Sequence, residues 1–447
     1  MKAENTSTLS KAVLLPWFIC CIGMLFYCFN YFLRVSPGPM ESDLVDHLHI
    51  TASQFGNLSA LYYYAYTPMQ IPVGMIYDRF GARLVLFFAC MISVLGLAVF
   101  ISAGAMWAAL LGRFLIGFGT AFSYIGVLKI ASVWLPPKRF SVVAGLTTAF
   151  GKVAAIFSVL FLTTLVQQIG YRGALISTLW VGIGLCVFIL LFMRNKPKQS
   201  SIVSATKPMT FKQLFAAMVL VLSKPQMWLI GLIGCLFYLP ASVFLDAWGI
   251  PFLKSVYQLT PTQAAHAISM TFVGWIIASP TIGAISERIE RRRLPLMICS
   301  CFAALCFGIV FYAPNVSVPA LFVLLFFAGI FCGAHPLCFA LGKENSPTPI
   351  LGTAVAITNF LIMLGGVVFQ PLVGKMLDWH TEGNSMVNGL HVYSAGDYTY
   401  AVSVVPIGLA LSIILTFFLK ETNCKSYEEQ REMNTDNLPD NVVPIRP

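Results

Sequence analysis

Twelve apolar stretches, each about 20 residues long, leave this 447-residue chain few folds to choose from. A helix needs about 20 apolar residues to cross the hydrocarbon core of a bilayer. The stretches cover residues 12–35, 54–77, 83–104, 107–131, 141–166, 173–193, 226–248, 263–285, 295–312, 318–341, 351–374 and 399–419. Strands of a membrane barrel would show segments of about 10 residues with alternating polarity, and the sequence has none. The expected fold class is an all-α membrane protein of twelve transmembrane helices. Only 10% of the residues are charged and 58% are hydrophobic, whereas soluble domains carry about 25% charged residues. A water-soluble fold is excluded.

The formal charge of +10 raises nucleic acid as a partner, but the distribution of the charge points to lipid. With the N-terminus inside, the loops on that side hold 21 lysines and arginines, and the opposite loops hold three, Arg172, Lys254 and Lys375. Four more lie at membrane depth: Arg34, Arg113, Lys129 and Lys152. Positive residues collect on the cytoplasmic face, beside anionic lipid. The expectation is a multi-pass protein of a cell membrane, of the bacterial inner-membrane kind, with both termini cytoplasmic and no nucleic-acid partner. The apolar run from Ala12 is too long for a signal-peptide core and reads as the first anchor.

Eleven of the twelve cysteines fall inside apolar stretches and Cys424 falls in the polar tail, which suits small packing residues. Cys332 and Cys338 flank His335 without further ligands nearby, so no metal is expected. The chain has no phosphate-binding loop and no nucleophile motif. It is expected not to be an enzyme and to need no cofactor.

Five segments follow from this pattern: an N-terminus (1–11), a first six-helix bundle (12–193), a basic linker (194–225), a second bundle (226–419) and a polar tail (420–447) expected to be disordered. Within the linker, Phe211 to Val221 is amphipathic and suits the membrane surface. A charged pattern recurs at corresponding places after helices 2 and 8. The first copy is Gly74-Met75-Ile76-Tyr77-Asp78-Arg79-Phe80-Gly81-Ala82-Arg83, and the second is Gly283-Ala284-Ile285-Ser286-Glu287-Arg288. Matching latches in two halves are the layout of a carrier whose halves lock and unlock against each other.

Twelve helices, a central basic loop and this repeated pattern resemble the major facilitator superfamily over roughly residues 12–420. The family's loop signature is matched by Gly74, Asp78, Arg79, Gly81 and Arg83, with Ala82 replacing a usual basic residue. Gly283, Glu287 and Arg288 match in the second half, where Glu290 replaces the second glycine. The helix 4 signature is matched by Arg113, Gly117, Gly119 and Ala121. The resemblance implies two pseudo-symmetric bundles working by alternating access, with a cytoplasmic gate at Gly74, Asp78, Arg79, Gly81, Arg83, Gly283, Glu287 and Arg288. Asn30-Tyr31-Phe32-Leu33-Arg34-Val35-Ser36 resembles helix 1 of organic-anion and nutrient carriers. A looser likeness extends to the phagosomal amino-acid and nucleoside transporters of intracellular bacteria.

Ionisable groups at membrane depth are costly and mark function. Arg34, Arg113 and Lys152 make the first half cationic, which suits a substrate bearing a carboxylate or phosphate. Tyr62 and Tyr66 share a helix face and join Asn30, Asn359 and Gln370 as candidate binding residues. The plainer alternatives are helix-to-helix ties for Arg113 and Lys152, snorkelling for Arg34 and Lys129, and core packing for the rest. Asp246 and His335 are the proton-coupling candidates. Asp246 suits a wet outer rim equally, because Trp248 and Pro251 follow, and His335 beside Pro336 suits capping of freed backbone groups. The expected function is proton-coupled uptake of a small anionic or zwitterionic solute by a monomer. The alternative is proton-driven export of a drug, metabolite or siderophore, which the absence of proline from Ala144 to Lys152 disfavours.

Overall fold

A computed structural model describes residues 2–195, 210–313, 315–380, 386–387, 390–391 and 393–436. The first half comprises α1 (Lys2–Val35), α2 (Glu41–Leu48), α3 (Ala52–Met69), α4 (Val73–Phe80), α5 (Ala82–Ile101), α6 (Met106–Thr120), α7 (Ser123–Trp134) and α8 (Pro137–Phe192). A linker helix, α9 (Phe211–Leu222), precedes the second half. That half runs through α10 (Pro225–Phe237), a π-helical turn (Pro240–Trp248), α11 (Gly249–Tyr257), α12 (Pro261–Arg288), α13 (Arg293–Tyr312), α14 (Val318–Cys332), α15 (Leu337–Glu344), α16 (Leu351–His380), α17 (Ala395–Val402) and α18 (Val404–Phe417). A last helix, α19 (Tyr427–Asp436), lies in the tail.

Ten segments among the described residues are long and apolar enough to span a membrane. One of them, Val142–Phe192, is two crossings joined at Gly170. There φ is 72° and ψ is 164°, a backbone conformation open to glycine. The remaining crossing is α3 with α4, interrupted near Pro68 and Pro72 and rich in tyrosine and polar residues, which lowers its hydropathy. The count of twelve agrees with the apolar stretches in the sequence.

Local chemistry sets where the helices begin. Thr51 with Gln54, Thr260 with Gln263 and Thr210 with Gln213 each form a reciprocal capping box, so α3, α12 and α9 start at defined residues. The two halves also pack alike. A Cβ added to Gly117 would lie 2.1 Å from the Tyr62 carbonyl oxygen, and one added to Gly329 would lie 2.0 Å from that of Thr271. Helix 4 therefore meets helix 2 as helix 10 meets helix 8, through small residues that let backbones touch.

Exposed apolar residues such as Phe88, Leu95, Phe157 and Trp180 form a lipid-facing coat. In the linker, Phe211, Phe215 and Val219 are exposed at intervals of four residues, one stripe along α9; residues 196–209 lie outside the described residues. The tail departs from expectation over its described part. Residues 420–436 fold against the base of the second half, because Glu421, Glu428 and Gln430 satisfy backbone groups there.

Candidate functional site

Where the two halves meet, helix 1 of the first half faces helix 7 of the second. The Arg34 Nε donates to Asp246 Oδ2 at 2.8 Å, and its Nη2 donates to the hydroxyls of Tyr63 and, at 2.9 Å, Tyr238. Tyr63 also donates to Asp246. Asp246 is thus buried rather than placed at a wet rim, and Arg34 does not snorkel. The cause is local: the π-helical turn widens helix 7 and rolls Asp246 toward helix 1. The same turn frees the Ser242 carbonyl, which accepts from Gln370 Nε2, while Trp248 Nε1 donates to the Gln370 carbonyl.

Lys152 lies beside this pair, also buried. Its Nζ sits 4.1 Å from the Trp275 ring centroid, with the Phe272, Tyr31 and Tyr238 rings at 5.5 to 5.7 Å. A cation over ring faces gains from their quadrupoles. No carboxylate pairs with it among the described residues. His335 lies against Tyr238, Trp275 and Phe339, and its buried Nε2 has no hydrogen-bond partner. The helix is broken there, between α14 and α15, so His335 projects from a turn.

The other candidates sit deeper in the first half or on helix 11. Arg113 donates to the carbonyls of Leu33 at 2.9 Å and Ser59 at 3.5 Å, with its Nε unpartnered. It therefore ties helix 4 to helices 1 and 2. Asn30 accepts from Tyr62 and donates to Ser123 at 2.8 Å, and Tyr66 stacks on Tyr62. Asn359 donates to Gln70 Oε1 at 3.1 Å, from the second half to the first. The structure thus gathers Arg34, Asp246, Lys152 and His335 in one cluster, with Arg113 in contact with the Tyr62 ring. Tyr63, Tyr238 and Trp275 complete the cluster and were not singled out as binding residues.

The end of the molecule opposite the termini is sealed. Helix 2 begins against helix 11, where Asp378 accepts from the Ser53 N–H at 3.0 Å and from the Tyr393 hydroxyl at 2.6 Å. Tyr393 in turn accepts from the Ala52 N–H at 3.0 Å. A Cβ on Gly56 would stand 2.6 Å from the Gln370 carbonyl oxygen. Lys254 donates to Ser42 and Thr262 to Gln167 across the same seam. At the end bearing the termini, Gly74 and Gly283 have open space where a Cβ would point.

Each loop pattern is braced within its own half. Asp78 accepts from Lys129 at 2.5 Å, both about a third exposed. Gly81 turns the chain with φ of 78°, and Arg83 donates to the Leu190 carbonyl at 2.8 Å. Arg79 is exposed over the Phe80 ring. In the second half Glu287 and Arg288 are exposed and form no ion pair among the described residues. The brace there is Arg292, paired with Glu344 at 2.7 Å and bonded to Ser286 at 3.0 Å. Sequence spacing pointed to Arg288, but Arg292 is the one the turn points inward.

Comparison with known proteins agrees with this architecture. The chain is 22% identical over 301 residues to "Probable sulfoacetate transporter SauU" of Cupriavidus necator, covering 65% of this chain and 70% of that one. It is 22% identical over 382 residues to "Probable anion transporter 6" of Oryza sativa subsp. japonica, covering 79% and 87%. The crystal structure of a bacterial homologue of the human lysosomal transporter Spinster, inward-facing and unoccupied, superposes with a TM-score of 0.72 at 16% identity, covering 95% of this chain and 99% of that one. The model of the Major Facilitator Superfamily matches residues 21–370. Twelve spans in two similarly packed halves, and a match over most of the length, lead to one conclusion: the chain belongs to the Major Facilitator Superfamily and is a membrane transporter of small molecules.

Proposed function

We propose that the protein takes up a small organic anion together with protons, by alternating access, as a monomer in a cell membrane with both termini in the cytoplasm. One observation carries the reading. Of the cations at the centre, Arg34 is neutralised by Asp246, whereas Lys152 is buried and forms no ion pair of its own among the described residues. A buried charge without a partner is expensive, and an anionic substrate is the natural counter-ion. The names of the sulfoacetate and anion transporters that the chain resembles support the same class.

The pairing at the centre supplies a coupling route. Asp246 and an incoming anion compete for the same guanidinium. A proton on Asp246 removes its charge, weakens its hold on Arg34 and loosens the tie between helices 1 and 7. The far end can then open with Arg34 and Lys152 presented to the anion. In the state described here that end, the outer one in this reading, is shut, and at the other end Gly74 and Gly283 face open space. The two loop patterns would meet the opposite half when those ends close, Gly74 and Gly283 leaving room for the approach.

The test is uptake into proteoliposomes with imposed pH and voltage gradients, screening organic acids, sulfonates, amino acids and nucleosides. Accumulation of an anion should collapse with a protonophore, and Lys152→Ala should cut it at least about 100-fold, in line with loss of a buried charge partner. Uptake unchanged by Lys152→Ala defeats the site assignment. Outward pumping from inverted vesicles replaces uptake by export.

A further inference from the structure

In the second half the centre also holds a polar group that no protein atom satisfies. His335 Nε2 is buried and unpartnered, a costly condition for a buried polar group. The ring is clamped by Tyr238 at 4.6 Å, Phe339 at 5.5 Å and Trp275 at 5.9 Å between centroids. Lys152 rests on two of the same rings, 4.1 Å from Trp275 and 5.7 Å from Tyr238. One amine from the first half and one imidazole from the second therefore share an aromatic floor. No carboxylate pairs with His335 among the described residues, and Lys152 and Arg34 already supply positive charge around Tyr238. A third full positive charge there would have no counter-ion of its own, so the imidazole serves as a neutral donor.

We infer that His335 is a specificity residue that donates from Nε2 to a second oxygen-bearing group of the substrate. The preferred substrate is then a two-headed anion, such as a short diacid or a sulfonated acid. One head meets Lys152 and the other meets His335 across the Trp275 and Tyr238 rings. Such a ligand meets Lys152 and His335 with a separate head each, whereas a one-headed acid must share its single head between them. The inference rests on the organic-anion reading above and narrows it.

The experiment uses the full chain in proteoliposomes and matched acid pairs: succinate against butyrate, and sulfoacetate against acetate. The wild type should prefer the two-headed member of each pair. His335→Ala should reduce that preference roughly 10- to 100-fold through KM, and His335→Gln, which keeps an N–H donor, should restore most of it. Because the readout is a ratio within one variant, lost expression or partial misfolding cancels. A preference for the one-headed members, or a ratio unmoved by His335→Ala, overturns the inference alone. Uptake of neither member of any pair overturns the organic-anion reading, and the inference with it.

Discussion

The two ends of this carrier are held by different kinds of contact. Opposite the termini, polar bonds run between the halves: Asp378 and Tyr393 on the start of helix 2, Lys254 on Ser42, Thr262 on Gln167. At the terminal end the hydrogen bonds and ion pairs described above stay within one half, Asp78 with Lys129 and Arg292 with Glu344. Asn359 on Gln70 and Arg34 on Asp246 mark the innermost cross-half ties. The lesson is one of location. Rigidity inside each half is maintained at the terminal end, and the choice of which side is shut is made at the centre and the far end.

Three substitutions probe that contrast. The largest effect is expected from Arg34→Ala, which strands a buried carboxylate and two tyrosine hydroxyls. Breaking such a pair costs about 3–5 kcal/mol, so the far end should separate. Spin labels at His49 and Trp379 would report a longer distance. An unchanged distance distribution would show that the seam does not depend on the centre.

Next comes Asp378→Ala, which leaves the Ser53 N–H and the Tyr393 hydroxyl without their acceptor. Loss of a helix-start acceptor costs about 1 kcal/mol, enough to move the open-to-shut ratio about fivefold. The same labels should show a minor population growing, with the bundle's thermal stability little altered. A fall in stability without a new population would recast Asp378 as a brace.

The smallest is Asp78→Asn. The pair with Lys129 is about a third exposed on both sides, and exposed pairs are worth about 0–1 kcal/mol. The far-end distance should stay as it is and the melting temperature should hardly move. Any loss of transport would then belong to the state in which the terminal ends meet.

Much of the fold was open to reading because a bilayer imposes a length on every crossing. The apolar runs gave the spans, including the break between 166 and 173 that separates helix 5 from helix 6. The centre was harder. Arg34 and Asp246 are 212 residues apart in sequence, and nothing linear announces that a π-helical turn rotates Asp246 inward. The repeated loop pattern pointed to Arg288, yet the turn after α12 brings Arg292 to Glu344. The roles of Trp275 and Tyr238 depend on which rings surround Lys152, a fact of three-dimensional neighbourhood alone.

The chain leaves α18 and doubles back under the second half. There Glu421 takes the N–H groups of Arg292 and Arg293, Thr422 bonds to Glu344, and Gln430 to the Glu344 carbonyl. Three crossings, helices 8 and 9 with helix 10, are lashed at their feet by one strap. In the first half the described tie is shorter: Asn195 accepts from the Arg83 N–H and the Arg194 carbonyl accepts from Trp134 Nε1. When the protein rocks, its second half should therefore swing as a single block, and more of the bending should fall to its partner. A chain cut short before Glu421 would spread that compliance to both sides.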